Sequence, residues 1–135
     1  TRHICATLFI RVMKNMTLME CYSRMGADYE DVLCRMNKED RIRRFLQMFL
    51  NEESFNNLCK ALEAWDVEDA FRAAHSLKGI CLNLSLTALG QSANALTEAL
   101  RNGAITPEVG VLAENLTQDY RMVTQTISDY LKGRQ

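Results

Sequence analysis

The chain has 135 residues, 47% of them hydrophobic, with one proline and six glycines. Sixteen Lys and Arg stand against 17 Asp and Glu, a net charge of −1, so the charge balance points neither to nucleic acid nor to an anionic membrane surface. A chain of this length buries a single core, and so few turn residues suit helices better than regularly spaced strands.

In chain order, Thr1 is not an initiator, and residues 1–15 are expected to be an N-terminal extension, upstream or added, ahead of a domain spanning residues 16–135. Ile4, Leu8, Val12, Met16 and Met19 recur at helical spacing; His3 is a lone terminal histidine and receives no role. Gly26-Ala27-Asp28 breaks the pattern, and Tyr29–Met36 follows as a short helix with Asp28 as N-cap. Asn37 is the next candidate cap, before a helix over residues 38–50 whose buried stripe is Ile42, Phe45, Leu46, Phe49 and Leu50. Arg41, Arg43 and Arg44 form its solvated face. After a break at residues 51–54, a further helix carries Phe55, Leu58, Cys59 and Leu62, with Trp65 expected to close the end of the core.

Asp66 caps a helix running to about Leu84, with Glu68 and Asp69 in its first turn favourable to the helix dipole. Ser85 or Thr87 caps the next, whose stripe is Leu89, Ala93, Leu96 and Leu100 and whose C′ residue is expected to be Gly103. Thr106-Pro107-Glu108 starts the last helix, with threonine at N-cap and proline at N1. It runs on Val109, Leu112, Leu116, Tyr120, Val123, Ile127 and Leu131 to Gly133. Four amphipathic helices with short links, from about residue 53 to 132, predict an all-α antiparallel up-down four-helix bundle. The short helices before residue 50 are expected to cap one end.

The five cysteines are far apart, odd in number and form no C-x-x-C, so reduced thiols in a cytosolic protein are expected, with no zinc site. No apolar run reaches the roughly 18–20 residues of a membrane span. Thr1–Phe9 lacks the apolar centre and small-residue cleavage pattern of a signal peptide.

The stretch that carries chemistry is Ala73-Ala74-His75-Ser76-Leu77-Lys78-Gly79. At about 100° per residue, Arg72, Lys78, Gly79 and Leu82 fall within roughly 60° of His75. Ala70, Ala73, Leu77, Ile80, Cys81 and Leu84 take the opposite, core-facing side. A mid-helix glycine costs roughly 0.5–1 kcal/mol relative to alanine. Gly79 does not point at the core, so the functional reading is close approach to His75 from outside. Lys78 places a cation beside the ring, which favours the neutral nucleophile and would stabilise an anion placed on it.

Ala-His-Ser-Leu-Lys-Gly, followed by Asn83-Leu84-Ser85-Leu86 and Leu89, resembles the signature of histidine-containing phosphotransfer (HPt) domains, with the resemblance running from about Tyr29 to the C-terminus. Two positions depart from the pattern. Ser85 stands where the family often has glycine, which is expected to affect a helix end and little else. The glutamine that often bonds the active histidine from the following helix has Thr97 at its corresponding position.

The resemblance implies a phosphocarrier in a two-component phosphorelay rather than an enzyme. His75 would be the phosphoryl acceptor, helped by Lys78 and Gly79, with Arg72, Ser76, Leu82 and Thr97 forming the partner and phosphoryl surface. The partners implied are a response-regulator receiver domain, a histidine kinase or both, meeting a cytoplasmic monomer. No cofactor or metal of its own is implied; the receiver brings the magnesium. The chain carries no P-loop and no Gly-rich nucleotide motif. Two alternatives stand beside this reading: a helical adaptor whose histidine is idle, and the histidine domain of a chemotaxis-type kinase. A conventional kinase dimerisation helix fits less well, because Ser76 rather than an acidic residue follows the histidine and Pro107 is the only proline.

Overall fold

The structure, a computed structural model, describes residues 16–134. The extension at residues 1–15, with its helical spacing, His3 and Cys5, lies outside the described residues. Seven helices are described: α1 Leu18–Arg24, α2 Tyr29–Met36, α3 Glu39–Leu50, α4 Ser54–Glu63, α5 Val67–Asn83, α6 Thr87–Leu100 and α7 Pro107–Lys132. The described residues contain no strand, and the fold is all-α as expected. None of these helices is long and apolar enough to cross a membrane.

Helices α4 to α7 form the bundle. Their connections are short, which makes sequential neighbours antiparallel. The most extensive packing joins α5 to α6, α4 to α5, and α6 to α7. Helix α3 lies against α7, and α1 packs on α7 and α2. At that junction the Tyr120 ring of α7 stacks on Phe55 of α4, with centroids 4.0 Å apart, and tilts against Phe49 of α3. The core holds the expected stripes: Leu89, Ala93, Leu96 and Leu100 from α6, and Val109, Leu116, Val123 and Ile127 from α7.

Several helix starts follow their local chemistry. Asp28 accepts from the Asp31 N–H at 3.0 Å, Asp66 from the Asp69 N–H at 3.1 Å, and Thr106 from the Val109 N–H at 3.3 Å with Pro107 next to it. Helix α1 opens on a reciprocal capping box between Thr17 and Glu20, a signal present in the sequence but not read there.

Other expectations are corrected. Asn37 does not start a helix; it ends α2 in the left-handed region at φ 69°, and Lys38 is the N-cap of α3, with no side-chain cap bond. Leu86, not Ser85 or Thr87, is the N-cap of α6. Gly103 lies one residue beyond the C′ position, because the C-cap is Arg101. Phe45 is exposed, since it lies at the margin of the α3 stripe, beside Met48 on the wall of a groove with Ile80 and Leu84. Met19 likewise faces out.

Trp65 does not close the core: it is 71% exposed. Its N–H donates to the Leu62 carbonyl at 3.1 Å, and the Asp66 N–H donates to the Ala61 carbonyl at 2.8 Å. That pair of bonds ends α4 in a Schellman turn, with Trp65 at C′ and φ 57°. The left-handed backbone turns the indole away from the bundle.

The same turn ends α5, with Ser85 at C′ and φ 56°, the Ser85 N–H on Leu82 and the Leu86 N–H on Cys81. Ser85 does more than end a helix. Its Oγ donates to Asp31 Oδ2 of α2 at 2.6 Å, and its carbonyl accepts from the Asp28 N–H at 2.9 Å. Beside it, the Ala88 N–H donates to the Gly26 carbonyl at 3.1 Å, and Tyr22 Oη donates to the Leu84 carbonyl at 2.9 Å. Gly26 sits at φ 62°, where a Cβ would lie 3.1 Å from that of Ala88, so both backbone and space call for glycine. These contacts clasp the α1–α2 corner to the C-terminal end of α5.

Four described cysteines are free: Cys21 and Cys81 are buried, Cys59 is half-buried and Cys34 is exposed. Burial pushes the Cys21 and Cys81 thiols up to about 12.

The clasp generates a paired prediction. Ser85→Ala keeps the left-handed strain and loses the bond to Asp31, at a cost of about 1–2 kcal/mol. Ser85→Gly loses the same bond but relieves about 1 kcal/mol of strain. Thermal melts followed by circular dichroism are expected to rank wild type at or above Ser85→Gly, with Ser85→Ala lowest. A Ser85→Ala protein that melts with wild type would show that the bond to Asp31 contributes nothing.

Candidate functional site

Helix α5 is 17 residues long and presents an apolar stripe to its neighbours: Ala70, Ala73, Ala74, Leu77 and Cys81 are buried. Burying that stripe turns the opposite arc outward. His75, near the middle of the helix, is exposed, as are Arg72, Ser76, Gly79 and Leu82, while Lys78 is half-buried. Six of the seven singled-out residues therefore share one surface.

His75 stands on a ridge between two grooves. Arg72 and Ser76 face the groove shared with α4, where Ser54, Asn57 and Lys60 form the other wall. Lys78 and Leu82 face the groove shared with α6, opposite Gln91 and Asn94. The Arg72 guanidinium is paired with Asp69 on its own helix, and both groups are exposed. Such a pair is worth at most about 1 kcal/mol, so it does not lock the guanidinium in place. A Cβ added at Gly79 would meet nothing within 4 Å. Close helix packing therefore does not explain this glycine.

Thr97 is corrected. It is fully buried, and its Oγ1 donates to the Ala93 carbonyl one turn back at 2.7 Å. Thr97 shares the inward stripe of α6 with Ala93 and Leu100, so its hydroxyl cannot face His75. The next residue, Glu98, faces out, about 100° further round the helix. Arg101 holds the Glu98 carboxylate with two bonds, Nε to Oε2 at 3.0 Å and Nη2 to Oε1 at 3.1 Å. Those bonds, joined by the charges of Arg101 and Lys78, keep the Glu98 carboxyl below its ordinary range.

Two aromatic contacts complete the surface. The rings of Phe71 and His75 lie one turn apart, parallel within 8° and with centroids 6.0 Å apart. The Arg101 guanidinium lies over the Phe71 ring, 5.0 Å from its centroid. Phe71, Glu98 and Arg101 escaped the sequence reading. The i,i+4 pair Phe71/His75 and the i,i+3 pair Glu98/Arg101 were both visible as spacings, but their meeting across two helices was not.

No group of three or more His, Cys, Asp or Glu among the described residues could hold a metal ion. The surface offers an exposed imidazole, a lysine one turn on, and open space over a glycine. The family model of the Hpt domain matches residues 44–130, well over half of the chain, from within α3 to the last turns of α7. The chain belongs to the Hpt domain family. No curated protein and no solved structure matches it. Hpt domains are phosphotransfer units of phosphorelays that act with receiver domains and kinases, and the helical bundle agrees with that membership. The match covers the whole of α5 and α6, so every outward residue described above lies within the Hpt region.

Three substitutions test this surface. A unit charge pair about 4 Å apart interacts by about 1 kcal/mol in water, so Lys78→Ala is expected to slow phosphotransfer about five- to tenfold without unfolding the domain. Transfer kinetics equal to wild type would make Lys78 a solvated charge and nothing more. Gly79→Ala is expected to raise stability by about 0.5–1 kcal/mol, because the space is open and the helix propensity improves. Gly79→Val is expected to stay folded but to transfer far more slowly, its branched side chain standing where an incoming group must pass. Melting and transfer measured on the same samples decide this; full transfer by Gly79→Val would remove Gly79 from the site.

Proposed function

We propose that this Hpt domain is a phosphocarrier in which His75 takes a phosphoryl group from the aspartyl phosphate of a receiver domain, or from a kinase, and passes it to another receiver. The observation that carries this reading is the placement of His75: exposed at mid-helix on the outward arc of α5, with Lys78 one turn on and open space over Gly79.

The step proposed is an in-line displacement. The lone pair of the unprotonated ring nitrogen forms the N–P bond as the P–O bond to the donor carboxylate breaks. The electron pair of that bond leaves on the carboxylate, and the proton on the other ring nitrogen stays with the ring. The phosphoryl group brings about −1.5 to −2 charges near neutral pH, by analogy with phosphorylated hydroxyls. Lys78 is the cation placed to meet that charge, and Arg72 is within reach once it leaves Asp69. Leu82, 55% exposed, and Ser76 supply apolar and polar contact on the two sides of the ridge. The domain contributes positioning and charge, and the receiver supplies the magnesium.

The working unit is proposed to span residues 16–135, since Met16, Leu18, Cys21 and Tyr22 are buried in the same core as the bundle. Residues 1–15 are proposed to lie outside it. We place the unit in the cytoplasm as a monomer, where receivers and kinases would meet it.

Incubation with a receiver charged by acetyl phosphate tests the assignment. Wild type is expected to gain an acid-labile, base-stable phosphoryl group, and His75→Gln none, with unchanged helicity because the side chain is exposed. A His75→Gln protein that still accepts the group, or a wild type that never does, would defeat the proposal.

A further inference from the structure

We propose that Phe71 is a positioning residue for the His75 imidazole, held for that task by the Arg101–Glu98 pair of α6. This rests on the phosphocarrier reading of His75 and adds to it a residue that sets the ring's orientation.

The geometry is a chain of contacts leading from one helix to the next. Glu98 meets the Arg101 guanidinium with two bonds at 3.0 and 3.1 Å; both groups are exposed, so the pair biases the guanidinium toward this position rather than locking it. The guanidinium lies 5.0 Å from the Phe71 centroid, a cation–π distance. Phe71 is half-buried against the core, so one part of its ring is fixed by packing while another meets the guanidinium. The imidazole lies parallel to that ring within 8°, at a 6.0 Å centroid separation, an offset arrangement favoured between aromatic rings. No hydrogen bond reaches either ring nitrogen among the described residues. The Phe71 stack is thus the contact that distinguishes one imidazole rotamer from the others.

An exposed histidine with no such neighbour divides its time among staggered χ1 wells and a broad χ2 range. In-line attack needs the nitrogen lone pair aimed at phosphorus with the reacting atoms about 3–3.5 Å apart. A ring already stacked presents the same edge to each incoming receiver, and both ring nitrogens stay free of internal partners. Phe71 touches neither the phosphoryl group nor the receiver in this scheme; it acts through the imidazole alone.

Two readouts test the proposal on the full chain. In proton NMR of the imidazole, Phe71→Leu is expected to move the His75 ring signals downfield as the neighbouring ring current disappears, while Phe71→Tyr leaves them near their wild-type positions. In single-turnover transfer from a receiver charged with acetyl phosphate, Phe71→Leu is expected to lower the maximal rate by about tenfold. The receiver concentration giving half that rate is expected to stay within about twofold of wild type, and Phe71→Tyr to restore the rate. Arg101→Gln, an exposed change that leaves the core intact, is expected to shift both readouts in the same direction by a smaller amount.

A Phe71→Leu protein that is folded and transfers at the wild-type rate overturns the proposal. So does one whose half-saturating receiver concentration rises at unchanged maximal rate, which would make Phe71 a docking contact. If Phe71→Leu does not fold, Arg101→Gln decides: unchanged imidazole signals and an unchanged rate reject the clamp. A wild type that accepts no phosphoryl group fails differently, before any variant is compared, and removes the phosphocarrier reading together with this role for Phe71.

Discussion

The rotational setting of α5 governs everything outside it. Ala70, Ala73, Ala74, Leu77 and Cys81 face inward as one apolar stripe, and the three alanines leave room for α4 and α6 to approach on either side. With those five buried, the histidine has nowhere to point but out. A rotation of one residue, about 100°, would expose the alanines and bury the imidazole. The setting is held at both ends. The Asp66 carboxylate caps the start, and the clasp through Ser85, Leu84 and the α1–α2 corner fixes the finish.

The same setting divides the outward arc into two sides with different chemistry. Towards α4 lie Arg72 and Ser76; towards α6 lie Lys78 and Leu82, with Phe71 and the Arg101–Glu98 pair further back, Phe71 one turn before His75. The α6 side thus combines a cation, an apolar contact and an aromatic support for the imidazole. The carboxylate of Glu98 is already engaged by Arg101, so it stands near the imidazole as a partly neutralised group rather than a bare anion. A phosphoryl group arriving on the ring would meet less repulsion than the sequence position of Glu98 alone suggests.

The bundle was legible because its information is periodic. The stripes of α6 and α7, the Asp66 cap and the Thr106-Pro107 start each depend on spacings within one segment, and the structure repeats them closely. The outward arc of α5 was legible for the same reason. What failed depended on register between segments or on left-handed backbone. Thr97 is an exception: it falls on the periodic stripe of Ala93 and Leu100, so spacing already turned it inward, and the family resemblance alone set it beside the histidine. Asn37, Trp65 and Ser85 all occupy positive φ, and no spacing rule announces a tryptophan at a position that favours glycine. Phe45 fell on the edge of a stripe, where exposure depends on how far the neighbouring helices extend.

The outward turn of Trp65 also sets what the chain's intrinsic fluorescence reports. The sole indole of the sequence is already largely in water in the folded state. An indole so exposed is expected to emit much as in an unfolded chain, so loss of the core should leave the emission maximum almost unmoved. Three of the four tyrosines are placed differently: Tyr22 and Tyr130 are fully buried and Tyr120 lies between two phenylalanines. For this bundle, near-ultraviolet signals from tyrosine follow the core, whereas the tryptophan follows only the α4–α5 corner.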